Sequence, residues 1–246
     1  GIDLCKESSG KGLEIMLDKV VFAYPGYSKN TIEELSLTIS KGEKLMIAGQ
    51  NGSGKSTLLN LISGLFDVQK GTISYNGFAK NNLQMNSLRT EIGGYLSHEQ
   101  LFEGTVTENI SVGRSSVPFE NVKWAAEKLG LSEFIKTLPK GYDSPLDPLG
   151  KKLPRSVVSK ILLARSIASK PKLLLLENAF ESIDEIDVVK IIDFLTDKSN
   201  NWTMVSISSN RHLAERCDKI VFMNRGSILK YGTYEEMKEI INFINL

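Results

Sequence analysis

The feature that most constrains the fold of this sequence is a glycine-rich loop between an apolar strand and an amphipathic helix. The loop, residues 49–57, fits the pattern GxxxxGK[ST] and reads Gly49-Gln50-Asn51-Gly52-Ser53-Gly54-Lys55-Ser56-Thr57. The strand before it spans residues 45–48, and the helix after it carries apolar residues at a spacing of three to four, namely Leu58, Leu59, Ile62 and Leu65. That spacing predicts that one face of the helix, Leu65 included, is buried. The strand and helix that a phosphate-binding loop requires are therefore both predicted.

This loop, hereafter the phosphate loop, predicts a nucleoside triphosphate site. Glycines let the backbone wrap phosphate groups with its N–H groups pointing inward, and the N-terminus of the following helix favours anions. In this pattern Lys55 reaches the outer phosphates, and the hydroxyl of Ser56 is offered to Mg²⁺. The alternative, a chance glycine-rich turn, does not account for the strand and the helix on either side. Every residue of the loop is therefore a candidate nucleotide-binding residue.

Composition narrows the class of protein. With 246 residues, 41% of them hydrophobic, the chain can bury a full core. The 30 Lys and Arg against 29 Asp and Glu leave a net charge of +1 without a basic run, which argues against direct nucleic-acid binding. Cys5 and Cys217 are far apart and have no metal-binding spacing, so free thiols in a reducing compartment are expected. No apolar run approaches the roughly 18 residues of a membrane span.

The patterning divides the chain into four parts. Residues 1–12 are polar and glycine-rich, which suggests a linker cut from a longer polypeptide. Residues 13–104 combine the phosphate loop with strand-like segments at 13–24, 32–39 and 71–77, the last ending in an Asn-Gly turn. The apolar spacing is helical over residues 105–169. Residues 170–246 alternate strands with helices, include a hairpin at 224–226 and end in an amphipathic helix from residue 233, which favours a largely parallel α/β core.

In this order of elements the chain resembles the nucleotide-binding domain of ATP-binding-cassette transporters. Residues 101–110, read as LFEGTVTENI, are similar to a segment of exporter-type cassettes that meets the membrane domain. The resemblance implies an α/β fold: a P-loop NTPase (RecA-like) core with an antiparallel β-subdomain and an inserted α-helical subdomain. It also implies ATP and Mg²⁺ as ligands, a membrane domain and a second cassette as partners, and a place on the cytoplasmic side of a membrane.

The resemblance assigns roles to three residues around the loop. Tyr24 stands where the family has an aromatic residue that stacks on adenine; a half-buried strand tyrosine is the alternative. Glu177 follows four leucines where the family has an aspartate that supports Mg²⁺, and it keeps a carboxylate there. His98 stands, within one residue, where the family has a glutamine that touches Mg²⁺; a surface-loop histidine is the alternative.

Two catalytic positions depart from the family. Asn178 replaces the glutamate that polarises the attacking water, and an amide cannot take a proton. Loss of a general base costs roughly 10²- to 10⁴-fold in rate. Ser209 replaces the histidine that contacts the γ-phosphate, and it is shorter and uncharged. His212, three residues on, is expected to face outward from the next helix. By contrast, Asp184 matches the aspartate that the family has after its catalytic pair.

The segment that closes over the partner's nucleotide in this family, LSGGQ, is also changed. Here the aligned residues, hereafter the signature segment, are Leu153-Pro154-Arg155-Ser156-Val157, anchored by residues 161–166 downstream. Proline offers neither a hydroxyl nor an N–H group, and side chains crowd a place where backbone approaches phosphate. Pro154 is expected at the first helical position. One hypothesis is that Arg155 replaces the lost contacts as a cation facing phosphate; a solvated arginine is the alternative. Pro148 also replaces an acidic residue just before the segment.

These residues favour an exporter cassette that binds Mg-ATP, pairs with an identical or a different cassette, and hydrolyses ATP slowly or not at all. The enzymatic alternative is a working transport ATPase in which Glu177 or a substrate oxygen accepts the proton and Asn178 orients the water. A non-transport interaction role is the third possibility, and the LFEGTVTENI segment counts against it.

Overall fold

The computed structural model describes residues 1–7, 10 and 12–243, with side chains up to residue 240. The strands are β1 (Ile15–Phe22), β2 (Ile32–Ile39), β3 (Lys44–Gly49), β4 (Lys70–Tyr75), β5 (Phe78–Ala79), β6 (Ile92–Tyr95), β7 (Gly104–Thr105), β8 (Pro145–Leu146), β9 (Leu173–Glu177), β10 (Thr203–Ile207), β11 (Lys219–Asn224) and β12 (Ser227–Gly232). The helices are α1 (Leu4–Glu7), α2 (Lys55–Ile62), α3 (Met85–Glu91), α4 (Val106–Ser111), α5 (Phe119–Lys128), α6 (Ser132–Thr137), α7 (Arg155–Ala168), α8 (Glu185–Thr196), α9 (Arg211–Arg216) and α10 (Tyr234–Phe243). Short 3₁₀ turns lie at Lys80–Asn82, Gly141–Asp143 and Pro148–Gly150.

A central six-stranded sheet runs in the order β12-β11-β3-β10-β9-β6. Its strands are parallel except β12, which pairs antiparallel with β11. The residues of β9 and β10 are all buried, as expected of strands covered on both faces. The predicted, largely parallel core is therefore confirmed. Because parallel strands end at the same edge, the segments after β3, β9 and β10 meet there.

A second, antiparallel sheet has the order β2-β1-β4-β5. The turn between β4 and β5 is formed by Asn76 and Gly77, whose φ angles are 49° and 82°. Two consecutive positive φ angles are the mark of the type I′ hairpin that Asn-Gly predicts. Arg225 and Gly226 form the same kind of turn between β11 and β12, with φ angles of 47° and 82°. Both predicted hairpins are confirmed.

The helix after the phosphate loop is shorter than its apolar spacing predicts. Helix α2 ends at Ile62, and Gly64 has a left-handed φ of 80°. The N–H of Gly64 donates to the carbonyl of Leu61 (3.1 Å), and the N–H of Leu65 donates to that of Asn60 (3.1 Å), which is the Schellman arrangement that terminates a helix. Leu65 is 59% exposed, so the prediction that it belongs to the buried face is wrong.

The helices expected between residues 105 and 169 are present as α4 to α7, and they share one core with the central sheet. Helix α4 begins with a capping box: the Thr105 side chain accepts from the N–H of Glu108 (3.0 Å), and the Glu108 carboxylate accepts from the N–H of Thr105 (2.6 Å). Strands β7 and β8 pair beside it. The capping box explains why the LFEGTVTENI segment turns abruptly from strand to helix.

Both ends of the described chain pack on the domain. Leu4 is fully buried, its N–H donates to the hydroxyl of Ser87 (3.0 Å), and Ile2 forms a parallel bridge with Leu83. This part of the predicted linker is thus packed, whereas residues 8, 9 and 11 lie outside the described residues. The predicted C-terminal helix is α10, and residues 244–246 also lie outside. Over the residues described, no helix is long and apolar enough to cross a membrane.

Candidate nucleotide-binding site

The phosphate loop has a backbone that only glycine accommodates well. Gly49, Gly52 and Gly54 have φ angles of 144°, 77° and 99°, a region that side chains disfavour. A Cβ atom added to Gly49 would lie 2.4 Å from the carbonyl oxygen of Met223, in the neighbouring strand β11. Side chains at these three positions would therefore strain the loop.

One hydroxyl inside the loop points to an anionic ligand. Ser53 is 4% exposed, and its Oγ has no hydrogen-bond partner among the described residues. Leaving a buried hydroxyl unpaired costs stability, and phosphate oxygens are acceptors that would satisfy it. The N–H of Gly226 donates to the carbonyl of Ser53 (2.9 Å), which ties the loop to the hairpin after β11. These features fit a bound phosphate chain.

Lys55 is held inside the loop by backbone oxygens. Its Nζ donates to the carbonyls of Gly49 (2.7 Å) and Gln50 (2.8 Å). Burial lowers the pKa of Lys55, and the nearby carboxylate of Glu177 opposes that shift. The ammonium group is thus already placed at the position where this loop type binds phosphates.

Glu177, at the end of β9, connects two segments of the site. It is 7% exposed; its Oε1 accepts a hydrogen bond from the hydroxyl of Ser56, and its Oε2 accepts one from the N–H of Ser97 (3.0 Å). A hydroxyl and a carboxylate are the hard oxygen ligands that Mg²⁺ prefers, and nucleotide phosphates complete such sites. Ser56 and Glu177 therefore fit the metal that the sequence predicts for them.

His98 has no contact with Ser56 or Glu177 among the described residues. Its side chain is 65% exposed and its Nε2 lies 4.0 Å from Glu99 Oε1. It is Ser97, one residue earlier, whose N–H reaches Glu177. This loop follows β6, and the sequence aligns it with the family pattern only to within one residue. The structure thus gives Ser97, rather than His98, the contact with the metal-site carboxylate.

Tyr24 lies beside the end of the phosphate loop. Its hydroxyl is 2.9 Å from the hydroxyl of Thr57, and its ring makes edge contacts with Phe22 (5.1 Å between centroids) and Phe66 (5.6 Å). The ring is half-buried. Strand β1 ends at Phe22, so Tyr24 follows the strand, whereas the sequence predicted strand up to residue 24. Stacking of this ring on a base stays a prediction.

A pocket of about 160 Å³, hereafter the nucleotide pocket, opens in front of the loop. Its polar lining includes Asn51, Lys55, Asn178, Glu181, Ser208 and Ser209. The N–H of Asn178 donates to the carbonyl of Ile207 (2.9 Å), and its left-handed φ of 49° is one that asparagine tolerates. The structure thus brings Asn178 and Ser209, which are predicted to replace catalytic residues of the family, to the same pocket as Lys55. Their side chains are exposed to the pocket.

Glu181 is a pocket residue that the sequence reasoning missed. It lies four residues after Glu177, in the turn that leaves the carboxyl end of β9. Functional side chains collect at the carboxyl ends of parallel strands, in the loops that follow them. An acidic residue in the loop after a buried parallel strand was therefore a signal available in the sequence.

The signature segment lies at the start of α7, and its residues do not line the nucleotide pocket. The helix begins at Arg155, and Pro154 is its N-cap, with φ −55° and ψ 142°. Pro154 therefore stands one residue before the first helical position predicted for it. Pro154 and Arg155 are exposed, while Leu153 and Val157 pack against the core. The helix start is intact despite the changed residues, because a proline needs no N–H partner there.

His212 does not face outward as expected. It is half-buried, and its Nε2 lies 2.8 Å from Asp193 Oδ1, which also accepts from Arg216 Nε (2.9 Å). Asp193 belongs to α8 and His212 to α9, and the two helices pack side by side. The prediction of an outward histidine is therefore wrong, because the neighbouring helix supplies a carboxylate partner.

Comparison with known proteins decides the family. The sequence family described as ABC transporter matches residues 32–181, more than half of the chain. This chain belongs to the ABC transporter family. The lipid A-core flippase of Idiomarina loihiensis, described as ATP-dependent, is 30% identical over 225 residues, which are 91% of this chain and 39% of that protein. YgaD of Bacillus subtilis (strain 168), named as a multidrug export ATP-binding/permease protein, is 29% identical over 92% of this chain and 39% of its own length.

A solved structure gives the same result for this ABC domain. A bacterial Atm1-family ABC exporter with ATP bound superposes with a TM-score of 0.87 at 25% identity, over 95% of this chain and 41% of that one. The fold is thus that of an ABC exporter nucleotide-binding domain, as the α/β prediction stated. The chain spans about two fifths of the length of the curated relatives it matches.

The ABC domain has a second surface, a groove of about 430 Å³ beside the LFEGTVTENI segment. Arg165 of α7 lies along it: its Nε donates to the carbonyl of Asn109 (2.7 Å), and its Nη1 donates to the carboxylate of Glu99 (3.2 Å). Its guanidinium also lies 5.3 Å from the ring centre of Phe102. Burial lowers the pKa of Arg165, and Glu99 opposes the shift. One buried cation thus joins α7, α4 and the loop that carries Ser97.

Proposed function

We propose that this domain binds Mg-ATP in order to close against a second ABC cassette in an exporter, and that it hydrolyses ATP slowly. One arrangement carries the proposal: Lys55 is held in the phosphate loop and Ser56 contacts Glu177, which suits phosphate and Mg²⁺ binding, while the residue after Glu177 is Asn178. The exporter, rather than another class of ABC protein, is supported by the LFEGTVTENI segment and by the relatives named above.

The residues divide the work between binding and chemistry. Lys55 neutralises phosphate charge, and Ser56 with Glu177 would hold Mg²⁺, which supplies further charge neutralisation when bound. The Asn178 amide can orient a water molecule, but it cannot accept the proton that the water must lose. A missing base lowers the rate roughly 10²- to 10⁴-fold. ATP would therefore stay bound long enough to act as a clamp.

The proposed partners rest on the relatives of this chain and on its signature segment. Its relatives carry about three fifths of their length outside the matched region, so we propose that a membrane domain belongs to the same polypeptide and that this domain faces the cytoplasm. The exposed signature segment at the start of α7 would meet the nucleotide of a second cassette, identical or different. The cation of Arg155 at this helix start favours an anionic partner there.

A working transport ATPase is the second candidate. It is favoured by the direct contact between Ser56 and Glu177, which leaves the metal site intact. Charge stabilisation by Lys55 and Mg²⁺ accounts for much of the catalysis of phosphoryl transfer, so turnover without the usual base is physically reasonable. In this case Glu177 or a substrate oxygen would accept the proton.

A nucleotide-trapping experiment separates the two candidates. The purified chain is incubated with labelled Mg-ATP beside the Lys55→Ala variant, free nucleotide is removed, and the bound nucleotide is identified over hours. Intact ATP that stays bound to the parent protein, and is lost in the variant, supports the domain that binds ATP and hydrolyses it slowly. Rapid Lys55-dependent accumulation of ADP and phosphate would instead support the ATPase. Equal retention by both proteins would overturn ATP binding at the phosphate loop.

A further inference from the structure

The turn after β9 places one glutamate in the lining of the nucleotide pocket, Glu181, which the mechanism above does not use. Ala179 and Phe180 are buried (1% and 5% exposed), and so is Ile183 (8%). The N–H of Ile183 donates to the carbonyl of Phe180 (3.2 Å) and closes the turn. Glu181 stands between these anchored residues, with an exposed side chain that lines the pocket. Packing on both sides therefore fixes the backbone of Glu181 at the edge of the pocket.

Glu181 is available for chemistry, whereas Glu177 is engaged. Both carboxylate oxygens of Glu177 accept hydrogen bonds, from Ser56 and from the backbone of Ser97. In the part of the chain that the structure describes, Glu181 has no hydrogen bond or ion pair. It is also the acidic side chain of the pocket lining, which it shares with Lys55 and Asn178. A free carboxylate and a bound phosphate chain would thus face the same small space.

We propose that Glu181 is the general base of this domain's slow ATP hydrolysis, an inference that rests on the proposed binding of Mg-ATP. The oxygen of a water molecule forms a bond to the γ-phosphorus, and the bond from that phosphorus to the bridging oxygen breaks, leaving its electron pair on ADP. One proton of the water moves to the Glu181 carboxylate and from there to solvent. The other stays with the released phosphate.

The other polar residues of the pocket cannot take that proton. Asn178 is an amide and Ser209 a neutral hydroxyl, and neither is basic enough to hold a proton taken from water. Lys55 donates to two carbonyls of the phosphate loop and acts as a cation. Asn178 can still accept a hydrogen bond from the water and orient it. The expected division is that Asn178 positions the water and Glu181 accepts the proton.

The test compares Glu181→Gln with a matched control. Glu185→Gln changes an exposed glutamate four residues on, in the first turn of α8, that does not line the pocket. Glu181→Gln is expected to lower the Lys55-dependent release of phosphate by about 10²-fold or more, and Glu185→Gln to leave it unchanged. Equilibrium binding provides a second measurement. Glu181→Gln should bind ATP at least as tightly as the parent, because a negative charge facing the γ-phosphate is removed.

A double variant and the parent protein show which proposal a negative result would overturn. Adding Asn178→Glu to Glu181→Gln should restore turnover, since a carboxylate returns to the pocket. Turnover of Glu181→Gln equal to that of the parent overturns the proposal. Bound ATP that the parent never hydrolyses also overturns it, but leaves the proposed function standing. A parent protein that fails to retain ATP would instead overturn the proposed function itself.

Discussion

Two parts of the candidate nucleotide-binding site are built in different ways. In the first part, hereafter the organised end, Lys55 is held by two carbonyls, and Glu177 is held between Ser56 and Ser97. In the second part, hereafter the open end, the side chains of Asn178 and Ser209 are exposed. Groups held in place before binding lose little entropy when the ligand arrives. The organised end is thus in place before the ligand binds. At the open end, the positions of the side chains depend on the water, phosphate or second cassette that binds there.

The sharpest way to break this difference is to place a carboxylate at the position of Asn178. We expect Asn178→Glu to raise the rate of ATP hydrolysis by up to about 10²-fold, because a carboxylate at the residue that orients the water accepts the proton directly, whereas Glu181 lies three residues further along the turn. Phosphate release measures the change. Asn81→Glu, in an exposed turn beside the antiparallel sheet, is the control and should have no effect. An unchanged rate in Asn178→Glu would show that Ser209 and the signature segment limit turnover instead.

The organised end can be tested through its metal ligand. Glu177→Gln should lower the apparent affinity for Mg²⁺ in the presence of ATP by roughly 10- to 100-fold, because the hydroxyl of Ser56 and the metal both lose a charged oxygen partner. A Mg²⁺ titration of ATP affinity provides the measurement. Glu185→Gln again serves as control. If the variant bound Mg-ATP as the parent does, the role of Glu177 in the metal site would be refuted.

The role of Tyr24 has a smaller expected effect. Stacking of an aromatic ring on a base is worth about 1–3 kcal/mol by alanine substitution, so Tyr24→Ala should weaken ATP binding roughly 5- to 150-fold. Tyr24→Phe keeps the ring and removes the hydroxyl contact with Thr57, and it should bind nearly as well as the parent. Calorimetric titration with ATP compares the two. Equal weakening in both variants would mean that the hydroxyl, rather than the ring, matters.

The smallest effect is expected at the signature segment. Exposed ion pairs contribute about 0.2–1 kcal/mol, so Arg155→Ala should weaken ATP-dependent pairing of two cassettes by no more than about fivefold. Arg211→Ala, on the exposed side of α9, is the matched loss of one positive charge. The dissociation constant of the ATP-bound pair is measured by analytical ultracentrifugation. Identical constants for Arg155→Ala and the parent would mean that Arg155 is simply solvated.

Local patterns predicted the fold well wherever one residue type decides the backbone. Asn76-Gly77 predicts a type I′ hairpin because both positions need a positive φ, and the structure has it. The glycines of the phosphate loop are required for the same reason. Leu65 shows where periodicity fails: its spacing fits the helix, but Gly64 ends α2 first. A helix signal carried by apolar spacing alone does not include the residue that terminates it.

Contacts between loops could not be predicted in the same way. Ser97 and Glu177 are 80 residues apart and meet only because β6 and β9 are neighbours in a parallel sheet. His212 acquires its partner, Asp193, from a helix that merely packs beside its own. No periodicity relates such pairs, since the register of the sheet and the packing of helices determine them.

The sequence by itself determined that this chain binds a nucleoside triphosphate on a largely parallel α/β core, because the phosphate loop and its flanking strand and helix are adjacent along the chain. Its resemblance to the family also predicted that Asn178 and Ser209 replace catalytic residues. Only the tertiary structure decided that Glu181 shares a pocket with Lys55 and Asn178, and that Ser97 rather than His98 reaches Glu177. The physical reason is that the ends of parallel strands meet in space while their loops remain far apart in sequence.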